Sequence, residues 1–477
     1  MDRNHLSLLT DYYELTMANG YFCQGLKDQI TYFDMFFRQV PDAGGYVIAA
    51  GLEQLVQYIQ NLRFSQEDIA FLRSKNMFHP DFLAYLADFH FTGDIWAIPE
   101  GTPVFPGEPL VTVRANAVEA QIIETYLLLA MNHQSLIATK ANRIVRAAEG
   151  RVVLEFGARR AQNADASVVG ARAAYIGGVH GTSNTLTDAL YGVPAGGTMA
   201  HSWVQMFDSE YEAFRAYCEI YPNNATLLVD TYNTLRSGIP NAIRVFQEMG
   251  LKQCGIRLDS GDLAFLSRKA RKMLDEAGLP FCKISVSNAL DEWLISDLLR
   301  QGACIDMFGV GEKLITAKSE PVFGGVYKLA AIEDKAGNIL PRIKISDNPV
   351  KITNPHYKRV YRLYEKETGK AMADYIALHH EVIKETEPLY LFDPIATWKS
   401  KTVQDFRLRE LQVPIFRGGE LVYDLPSLEQ IRAYCQQEMN TLWDEVKRFE
   451  HPHNYYVDLS PALFAIKEEL LRQSLQK

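Results

Sequence analysis

The sequence predicts an α/β protein whose centre is a parallel sheet, and two observations support this prediction. Short apolar runs recur between residues 150 and 330, and each is followed by small or polar residues and then a helical pattern. Glycines close the helical stretches at Gly250, Gly278 and Gly302, just before the next run begins. Short buried strands that alternate with helices are typical of βα units on a parallel sheet. Because one spacing persists, a parallel α/β barrel is favoured over an open sheet.

The apolar runs are the strands of this predicted barrel. They lie at 152–156, 226–229, 254–258, 282–286 and 305–308. Residues 262–277 are expected to form a helix that joins two of these strands. Their apolar side chains recur at i, i+3 and i+4, as on one face of an amphipathic helix. The barrel is therefore expected to occupy residues 126–345.

The stretch before the barrel, residues 1–125, is predicted to be a flanking α+β domain. Residues 30–37 (ITYFDMFF) are rich in aromatic side chains and predict a strand. Residues 91–113 carry short β-branched pieces broken by Gly and Pro, which is typical of small β-structure with tight turns. An amphipathic helix of about 118–148 is expected to lead into the barrel.

The stretch after the barrel, residues 346–477, is predicted to be a C-terminal extension of mixed and helical structure. It is polar and irregular at first and then becomes helical. Ser427 is expected to start one helix, and Ser460-Pro461 form a favourable N-cap and first residue for the last helix.

Composition limits the function of the chain. Its 477 residues suffice for two or three domains. The chain has 49 basic and 58 acidic residues, and the resulting net charge of −9 argues against a nucleic-acid partner. A locally positive pocket for small anions remains compatible with that charge. The six cysteines form no CxxC pair, which disfavours a disulfide scaffold and a structural zinc site. No apolar run approaches the ~18 residues of a membrane span, so a cytoplasmic protein is expected.

Polar and glycine-rich residues follow each predicted strand, where the active sites of parallel α/β folds lie. Glycine-rich helix openings bind phosphate through main-chain N–H groups, arginines bind phosphate or carboxylate, and acids hold Mg²⁺ or a ribose hydroxyl. The set therefore predicts phosphate or phosphosugar chemistry. It consists of Gly157-Ala158-Arg159-Arg160, Asp230 to Asn233, Arg257 with Asp259 to Asp262, Ser287-Asn288, Gly309 to Lys313, His180 to Asn184 and Gly196 to Ser202.

Each of these residues also has a structural interpretation. Asp230 and Asp259 are equally compatible with N-caps of the following helices. His201 alone reads more readily as a structural histidine, although its place after a Gly-Gly-Thr loop also suits a base or a phosphoryl acceptor. Phe156 is compatible with plain core, and Arg159 with surface charge. The functional interpretation depends on their common location at one edge of the sheet.

Several motifs of this chain, taken in order, resemble those of the nicotinate phosphoribosyltransferase family, a type II phosphoribosyltransferase. The resemblance extends from Leu8-Leu9-Thr10-Asp11-Tyr12-Tyr13 to Gly325-Val326-Tyr327-Lys328-Leu329. Its most specific pieces are Phe36-Phe37-Arg38, Glu155-Phe156-Gly157-Ala158-Arg159-Arg160, Gly197 to Ser202, Arg257 to Asp262 and Phe308-Gly309-Val310-Gly311.

The resemblance implies an activity and its cofactors. Nicotinate and 5-phosphoribosyl 1-diphosphate would give nicotinate mononucleotide and diphosphate in NAD salvage. ATP hydrolysis would be coupled through a phosphohistidine, and Mg²⁺ would be required. The implied fold is an irregular α/β barrel with a flanking α+β domain, in a head-to-tail homodimer.

The resemblance also implies roles for individual residues. The catalytic set would be His201, as the phosphohistidine, with Asp230 and Asp259 near ribose, diphosphate and metal. The pyridine ring would lie between Phe156 and Tyr13 of the partner subunit. Glu312 stands where the family often has Thr, so any contact with phosphate there is expected through main-chain N–H or metal. The remaining substrate-binding positions would be Arg159, Ser183, Thr198, Arg257, Ser287, Asn288, Gly309, Gly311 and Glu312.

Ser183 bears on which base is used. The sister family that takes nicotinamide has Asp at this position, where a carboxylate would repel nicotinate, whereas the Ser183 hydroxyl can donate to it. The competing interpretations are a nicotinamide-using enzyme, a non-catalytic ligand-binding protein of the same fold, and a βα-barrel enzyme of unrelated chemistry. The presence of His201, both acids and Arg257 argues against loss of catalysis.

Overall fold

The computed structural model describes residues 6–348 and 351–475, and it shows a mixed α/β fold. The chain forms two compact units. One is continuous, Ile137–Pro321, and the other combines the chain up to Leu136 with the chain from Val322 onward.

The helices of the described residues alternate with strands through most of the chain. In chain order they are α1 (Tyr12–Cys23), α2 (Leu52–Asn61), α3 (Gln66–Ser74), α4 (Pro80–Ala87), α5 (Ala117–Ile122), α6 (Glu124–Ala147), α7 (Ala164–Ile176), α8 (Thr185–Tyr191), α9 (His201–Gln205), α10 (Glu210–Ile220), α11 (Ile239–Glu248), α12 (Leu263–Glu276), α13 (Glu292–Arg300), α14 (Glu312–Ile315), α15 (Leu428–Thr441) and α16 (Pro461–Leu475). Within the described ranges, no helix is both long enough and apolar enough to cross a membrane.

The strands are mostly short. In chain order they are β1 (Ile30–Phe37), β2 (Val47–Ile48), β3 (Asp94–Ala97), β4 (Pro103–Val104), β5 (Val111–Asn116), β6 (Val152–Glu155), β7 (Gly181–Thr182), β8 (Ala225–Leu228), β9 (Cys254–Leu258), β10 (Lys283–Ser287), β11 (Met307–Val310), β12 (Gly325–Glu333), β13 (Ile339–Pro341), β14 (Lys358–Glu365), β15 (Ala371–Leu378), β16 (Leu389–Phe392), β17 (Ser400–Val403), β18 (Phe406–Glu410), β19 (Val413–Arg417), β20 (Glu420–Leu421) and β21 (Val457–Leu459).

The continuous unit is built on a curled, six-stranded parallel sheet in the order β7-β6-β11-β10-β9-β8. The strands β6 and β8 to β11 coincide with the five predicted runs within two residues, because each run is short, apolar and buried. The helix α12 fills the segment predicted to be helical and begins at Asp262, whose side chain accepts from the Phe265 N–H at 2.9 Å. Gly250, Gly278 and Gly302 all have φ between 63° and 75°, as expected where a chain leaves a helix. A parallel α/β fold is thus confirmed.

The discontinuous unit contains a seven-stranded sheet in the order β13-β12-β1-β5-β3-β19-β20. The predicted strand 30–37 is β1, which pairs antiparallel with β12 and β5 at the centre of the sheet. The rings of Phe33 and Tyr327 stack across this pairing with centroids 4.7 Å apart. The pair Asp34–Lys358 is buried, with Nζ and Oδ2 2.6 Å apart.

Two sequence predictions for this part of the chain need correction. The helix expected at about 118–148 is two helices, α5 and α6, which are separated at Ile123. The stretch expected to be irregular and then helical contains eight strands, β14 to β21. The sequences of these strands contain charged residues, which are usually exposed. In β14 and β15, however, Arg362 and Asp374 lie opposite each other, are fully buried and form an ion pair at 2.6 Å.

The two helices predicted near the C-terminus are confirmed. Ser427 caps α15 and forms a capping box with Gln430. Ser460 precedes α16, and its hydroxyl accepts from the Leu463 N–H at 3.1 Å.

Candidate active site

Arg257, in β9, is the centre of a hydrogen-bonded group at the carboxyl edge of the parallel sheet. Its Nη1 donates to Oγ1 of Thr198 at 2.7 Å and to the Met199 carbonyl at 3.1 Å. Its Nε donates to Oγ of Ser287 at 3.1 Å, and its Nη2 lies 3.5 Å from Oδ1 of Asp259. Four predicted site residues from three separate segments therefore meet around one guanidinium group.

Asp230 and Asp259 follow the neighbouring strands β8 and β9 and are joined directly. Oδ2 of Asp230 accepts from the Asp259 N–H and from the Ser260 hydroxyl, both at 2.7 Å. The helical segments that follow are capped by Asn233 and Asp262, which excludes the N-cap interpretation of the two acids. Oδ1 of Asp230 is buried and has no hydrogen-bond partner in the described part of the chain. That oxygen retains its lone pairs for a donor or a cation.

His201 is the first residue of α9, and its ring lies between two polar groups. Nδ1 is 3.1 Å from the Thr231 hydroxyl, and Nε2 is 3.9 Å from Oδ2 of Asp259. The side chain is 39% exposed, so this histidine is not held in the core. In the tautomer in which Nδ1–H donates to Thr231, the lone pair of Nε2 is available to a substrate.

Phe156 follows β6 and packs on a position where only glycine fits. Its N–H donates to the Val310 carbonyl at 2.7 Å, which continues the pairing of β6 with β11. A Cβ at Gly309 would lie 2.4 Å from Cδ2 of the Phe156 ring. Ser287 is the partner of Gly309 across the β10–β11 pairing. The Phe156 ring and the group around Arg257 are thus linked through adjacent strands of one sheet.

Glu155, the residue before Phe156, is a buried carboxylate that sequence reasoning did not assign to the site. It is fully buried, and its side chain accepts from the Gly157 N–H and from Oγ1 of Thr182, the latter at 2.6 Å. Its main-chain carbonyl accepts from the Ser183 N–H at 2.8 Å. Burial raises the pKa of Glu155 to about 6, although both hydrogen bonds act in the opposite direction. The available signal was a charged residue at the end of an otherwise apolar run, VVLEF.

The turn after β10 has an unusual main-chain conformation. Asn288 and Ala289 have φ values of 93° and 48°, in the left-handed region that residues with a Cβ rarely adopt. Asp291 ends the turn by capping α13, and its Oδ2 lies 2.5 Å from Nζ of Lys313. This ion pair connects the turn at 287–291 to the segment that carries Gly311.

Glu312 and Arg159, two predicted phosphate-side positions, lie at the surface of the same unit. Oε1 of Glu312 is 2.5 Å from Nζ of Lys318, and this hydrogen bond with its positive charge holds the pKa of Glu312 below its ordinary value. Arg159 is exposed in a short 3-10 turn, Ala158–Arg160. The structure does not bring Arg159 into the hydrogen-bonded group around Arg257.

Tyr13 belongs to the discontinuous unit and is 46% exposed near the start of α1. The neighbouring Glu14 is buried and accepts from the hydroxyls of Thr125, at 2.6 Å, and Thr10. Burial raises the pKa of Glu14 to about 7. Hydrogen bonds inside this unit thus fix the start of α1, while Tyr13 remains nearly half exposed with Glu124 close to its hydroxyl.

The motif Phe36-Phe37-Arg38 lines a cavity of about 410 Å³ in the same unit. The guanidinium of Arg38 lies over the Phe36 ring, 5.4 Å from its centroid. Its Nε is buried without a hydrogen-bond partner among the described residues, and burial lowers the pKa of Arg38. Lys467 and Asp458 also line the cavity, so its walls are of mixed charge.

The site in the continuous unit has the features of one class of protein. A parallel α/β sheet carries an arginine fork, two linked carboxylates, an accessible histidine and glycine-rich turns at its carboxyl edge. This combination is typical of α/β enzymes that act on small phosphorylated substrates.

Comparisons with known proteins specify the family. Models of the nicotinate phosphoribosyltransferase N-terminal domain, family and C-terminal domain match residues 8–132, 152–368 and 357–467. Nicotinate phosphoribosyltransferase of Bacillus subtilis is 46% identical over 470 residues, which cover 98% of this chain and 96% of that protein. A nicotinate phosphoribosyltransferase of Mycobacterium tuberculosis is 39% identical over 94% of this chain and 90% of its own length. The chain belongs to the nicotinate phosphoribosyltransferase family.

Solved structures agree with this assignment. The crystal structure of human nicotinic acid phosphoribosyltransferase superposes with a TM-score of 0.86 and 30% identity, over 97% of this chain and 99% of that one. A nicotinate-nucleotide pyrophosphorylase of Pyrococcus furiosus, at 24% identity and a TM-score of 0.71, shares the fold. The family inferred from the sequence motifs is thereby confirmed.

Proposed function

We propose that this chain transfers the phosphoribosyl group of 5-phosphoribosyl 1-diphosphate to nicotinate, giving nicotinate mononucleotide and diphosphate in NAD salvage. Membership of the family supports the reaction. The observation that carries the proposal in this chain is the Arg257 group, in which a fixed cation is held between Thr198, Ser287 and Asp259. With its contact to the Met199 carbonyl, four of its five N–H donors are engaged, so the guanidinium offers one Nη2–H and its positive charge to a carboxylate or a phosphate.

Catalysis of this reaction depends mainly on electrostatic positioning by the protein. The bond between ribose C1 and the diphosphate oxygen breaks, the bond between C1 and the pyridine nitrogen forms, and the electron pair leaves with diphosphate. Positive charge therefore develops on the sugar and negative charge on the leaving group. In the proposal, Asp230 and Asp259 lie beside the sugar, while Arg257, Ser287, Asn288, Gly309 and Gly311 bind the carboxylate and phosphate groups. Arg159 and Glu312 are proposed as outer positions on the phosphate side.

Magnesium is proposed as a cofactor, and the residues present fit it. The unpartnered Oδ1 of Asp230 and the carboxylate of Asp259 are oxygen ligands of the kind that Mg²⁺ takes. No group of three or more His, Cys, Asp or Glu side chains in the described residues is placed to hold a metal. This suits Mg²⁺, which commonly binds through one or two carboxylates together with substrate phosphates. When bound, it would neutralise charge on the diphosphate.

His201 is proposed to accept a phosphoryl group from ATP. With Nδ1 held by Thr231, Nε2 attacks the terminal phosphorus, the bond to the bridging oxygen breaks, and ADP leaves. Phosphorylation adds negative charge beside Asp259, so it is expected to alter how the loop around Thr198 binds substrate. Hydrolysis of the phosphohistidine then returns the enzyme to its resting form.

The base site is proposed to be formed by Phe156, by Ser183 and by Tyr13 of the partner subunit in a head-to-tail homodimer. The exposure of nearly half of Tyr13 supports this arrangement. We further propose that the parallel sheet closes into an irregular barrel and that the protein is cytoplasmic. The chain is also proposed to divide into domains at residues 125 and 345. Limited proteolysis tests the second boundary, because residues 342–348 belong to no helix or strand and should be cut early.

Labelled ATP tests the chemistry at His201. The purified chain should acquire acid-labile, base-stable phosphate, and nicotinate mononucleotide should form faster with ATP than without it. A His201→Ala variant should acquire no label, whereas His90→Ala, which changes an exposed histidine of the other unit, should label normally. Equal labelling of His201→Ala would refute the phosphohistidine.

A further inference from the structure

We infer that Glu155 is a positioning residue for the base site, which it shapes through Phe156 and Ser183. The inference rests on the proposed function, because it assigns those two residues to the pyridine ring and its carboxylate. Glu155 is fully buried and so would act through its neighbours.

The hydrogen bonds of Glu155 reach both sides of the base site. On one side its Oε1 accepts from the N–H of Gly157, the residue directly after Phe156. On the other side its Oε2 accepts from the hydroxyl of Thr182, and its carbonyl accepts from the N–H of Ser183. One residue thus fixes the main chain next to the aromatic ring and next to the hydroxyl proposed to contact the nicotinate carboxylate.

The chemistry of the two partners explains why the residue is an acid. The Gly157 N–H can only donate. The Thr182 hydroxyl already accepts from the Asn184 N–H at 3.0 Å, which directs its own hydrogen toward Glu155. Two donors therefore point at one side chain, and only a carboxylate offers an acceptor to each. A glutamine has a single acceptor oxygen; when that oxygen accepts from the Gly157 N–H, its amide N–H group faces the Thr182 hydroxyl and the bond to Thr182 is lost.

No cation compensates this carboxylate. Glu155 forms no ion pair with any described residue, and the groups that favour its charged form are the two hydrogen bonds from Gly157 and Thr182. A buried charge without a counter-ion lowers stability unless its hydrogen bonds are complete. The hydrogen bonds from Gly157 and Thr182 are therefore what makes an acid tolerable at this buried position.

The effect should be specific to one substrate. Phe156 and Ser183 belong to the proposed base site, whereas most of the proposed phosphate positions, Ser287, Asn288, Gly309 and Gly311, lie in or directly after β10 and β11. Loosening the segments on either side of Glu155 should therefore raise the KM for nicotinate and leave the KM for 5-phosphoribosyl 1-diphosphate nearly unchanged. A role limited to stability would alter both values or neither.

Steady-state kinetics of matched variants tests this inference. Glu155→Gln and Thr182→Val each remove one contact and should raise the KM for nicotinate about tenfold, as expected for the loss of a hydrogen bond to a charged group. Thr182→Ser keeps the hydroxyl and should restore the wild-type value. The double variant Glu155→Gln/Thr182→Val should show less than the product of the two single effects, because both remove the same bond.

Asp306→Asn is the control for loss of a carboxylate from the same sheet. Oδ2 of Asp306 accepts from the Ile284 N–H at 2.9 Å, just before β11 and so at the opposite edge of the sheet. This variant should leave both KM values unchanged. If Glu155→Gln does not fold, Thr182→Val and Thr182→Ser give the same readout. An active wild type whose variants keep the nicotinate KM, or raise both KM values alike, overturns the inference, whereas an inactive wild type refutes the proposed function instead.

Discussion

Arg257 and Asp259, two residues apart at the end of β9, face each other with Nη2 and Oδ1 3.5 Å apart, and both side chains also contact the Ser287 hydroxyl. The arginine fork is thus held by Asp259, directly after its own strand, and by Ser287 of the neighbouring strand β10. Its remaining donors reach the loop that carries Thr198. A guanidinium fixed in this way needs little rearrangement to bind an anion.

Arg257→Lys should weaken nicotinate binding while the protein stays folded. Lysine keeps the charge but replaces the planar fork, so the simultaneous contacts with Thr198, Ser287 and Asp259 are lost. We expect the KM for nicotinate to rise at least tenfold, about 1.4 kcal/mol, measured by product formation at saturating 5-phosphoribosyl 1-diphosphate. Arg268→Lys is the matched control, because Arg268 is exposed and, among the described residues, bonds only to the Gln301 carbonyl. Equal effects of the two substitutions would contradict the role of the fork.

Gly309→Ala should disturb the aromatic wall of the base site. The added Cβ would lie 2.4 Å from the Phe156 ring, so the ring or the strand has to move. Overpacking of this kind destabilises by about 1–3 kcal/mol, and we also expect a raised KM for nicotinate. Gly20→Ala in α1 is the control, because no atom lies within 4 Å of its added Cβ. A wild-type melting temperature and KM for Gly309→Ala would contradict the contact.

Mixed dimers test whether Tyr13 acts in the partner's site. In a dimer of one Tyr13→Ala and one His201→Ala subunit, one site regains both wild-type residues if Tyr13 comes from the other subunit. Random mixing at equal amounts should then restore about a quarter of all sites. If Tyr13 acted within its own subunit, mixing would restore none. The measurement is the rate of product formation after unfolding and refolding the two variants together.

Buried Glu14 predicts a specific pH dependence of stability. Burial raises its pKa from an ordinary 4.5 to about 7, so the folded chain holds this proton up to a higher pH than the unfolded chain does. The contribution of Glu14 to stability therefore falls as pH rises from about 4.5 to 7. Glu14→Gln cannot ionise, so its melting temperature relative to wild type should increase between pH 5 and pH 8. A constant difference across that range would contradict the shifted pKa.

Sequence reasoning found the strands of the parallel sheet because each is a short apolar run bounded by small or polar residues. It found Arg257, Asp259 and His201 because residues that follow parallel strands meet at one edge. It missed β14 and β15, whose Arg362 and Asp374 look like surface charges until the fold pairs them. In an isolated segment, charged residues predict exposed positions. Their burial is decided by tertiary packing, which the sequence of the segment does not show.

The proposed role of Glu155 could not be predicted from the sequence for a related reason. An acid at the end of an apolar run resembles the start of a loop, and nothing local shows that Thr182, 27 residues later, donates to it. The contact of His201 with Thr231, 30 residues later, is likewise indicated by no local spacing. Contacts that depend on strand order are available only from the three-dimensional structure.

The most direct test of the account is the choice of base, measured by chromatography of the products formed from 5-phosphoribosyl 1-diphosphate with nicotinate or with nicotinamide. The wild-type chain should make nicotinate mononucleotide and release one diphosphate for each, and it should make little or no product from nicotinamide. Ser183→Asp should lose the nicotinate reaction, because a carboxylate at this position repels that of the substrate. A wild-type chain that makes no nicotinate mononucleotide, or that prefers nicotinamide, would contradict the account.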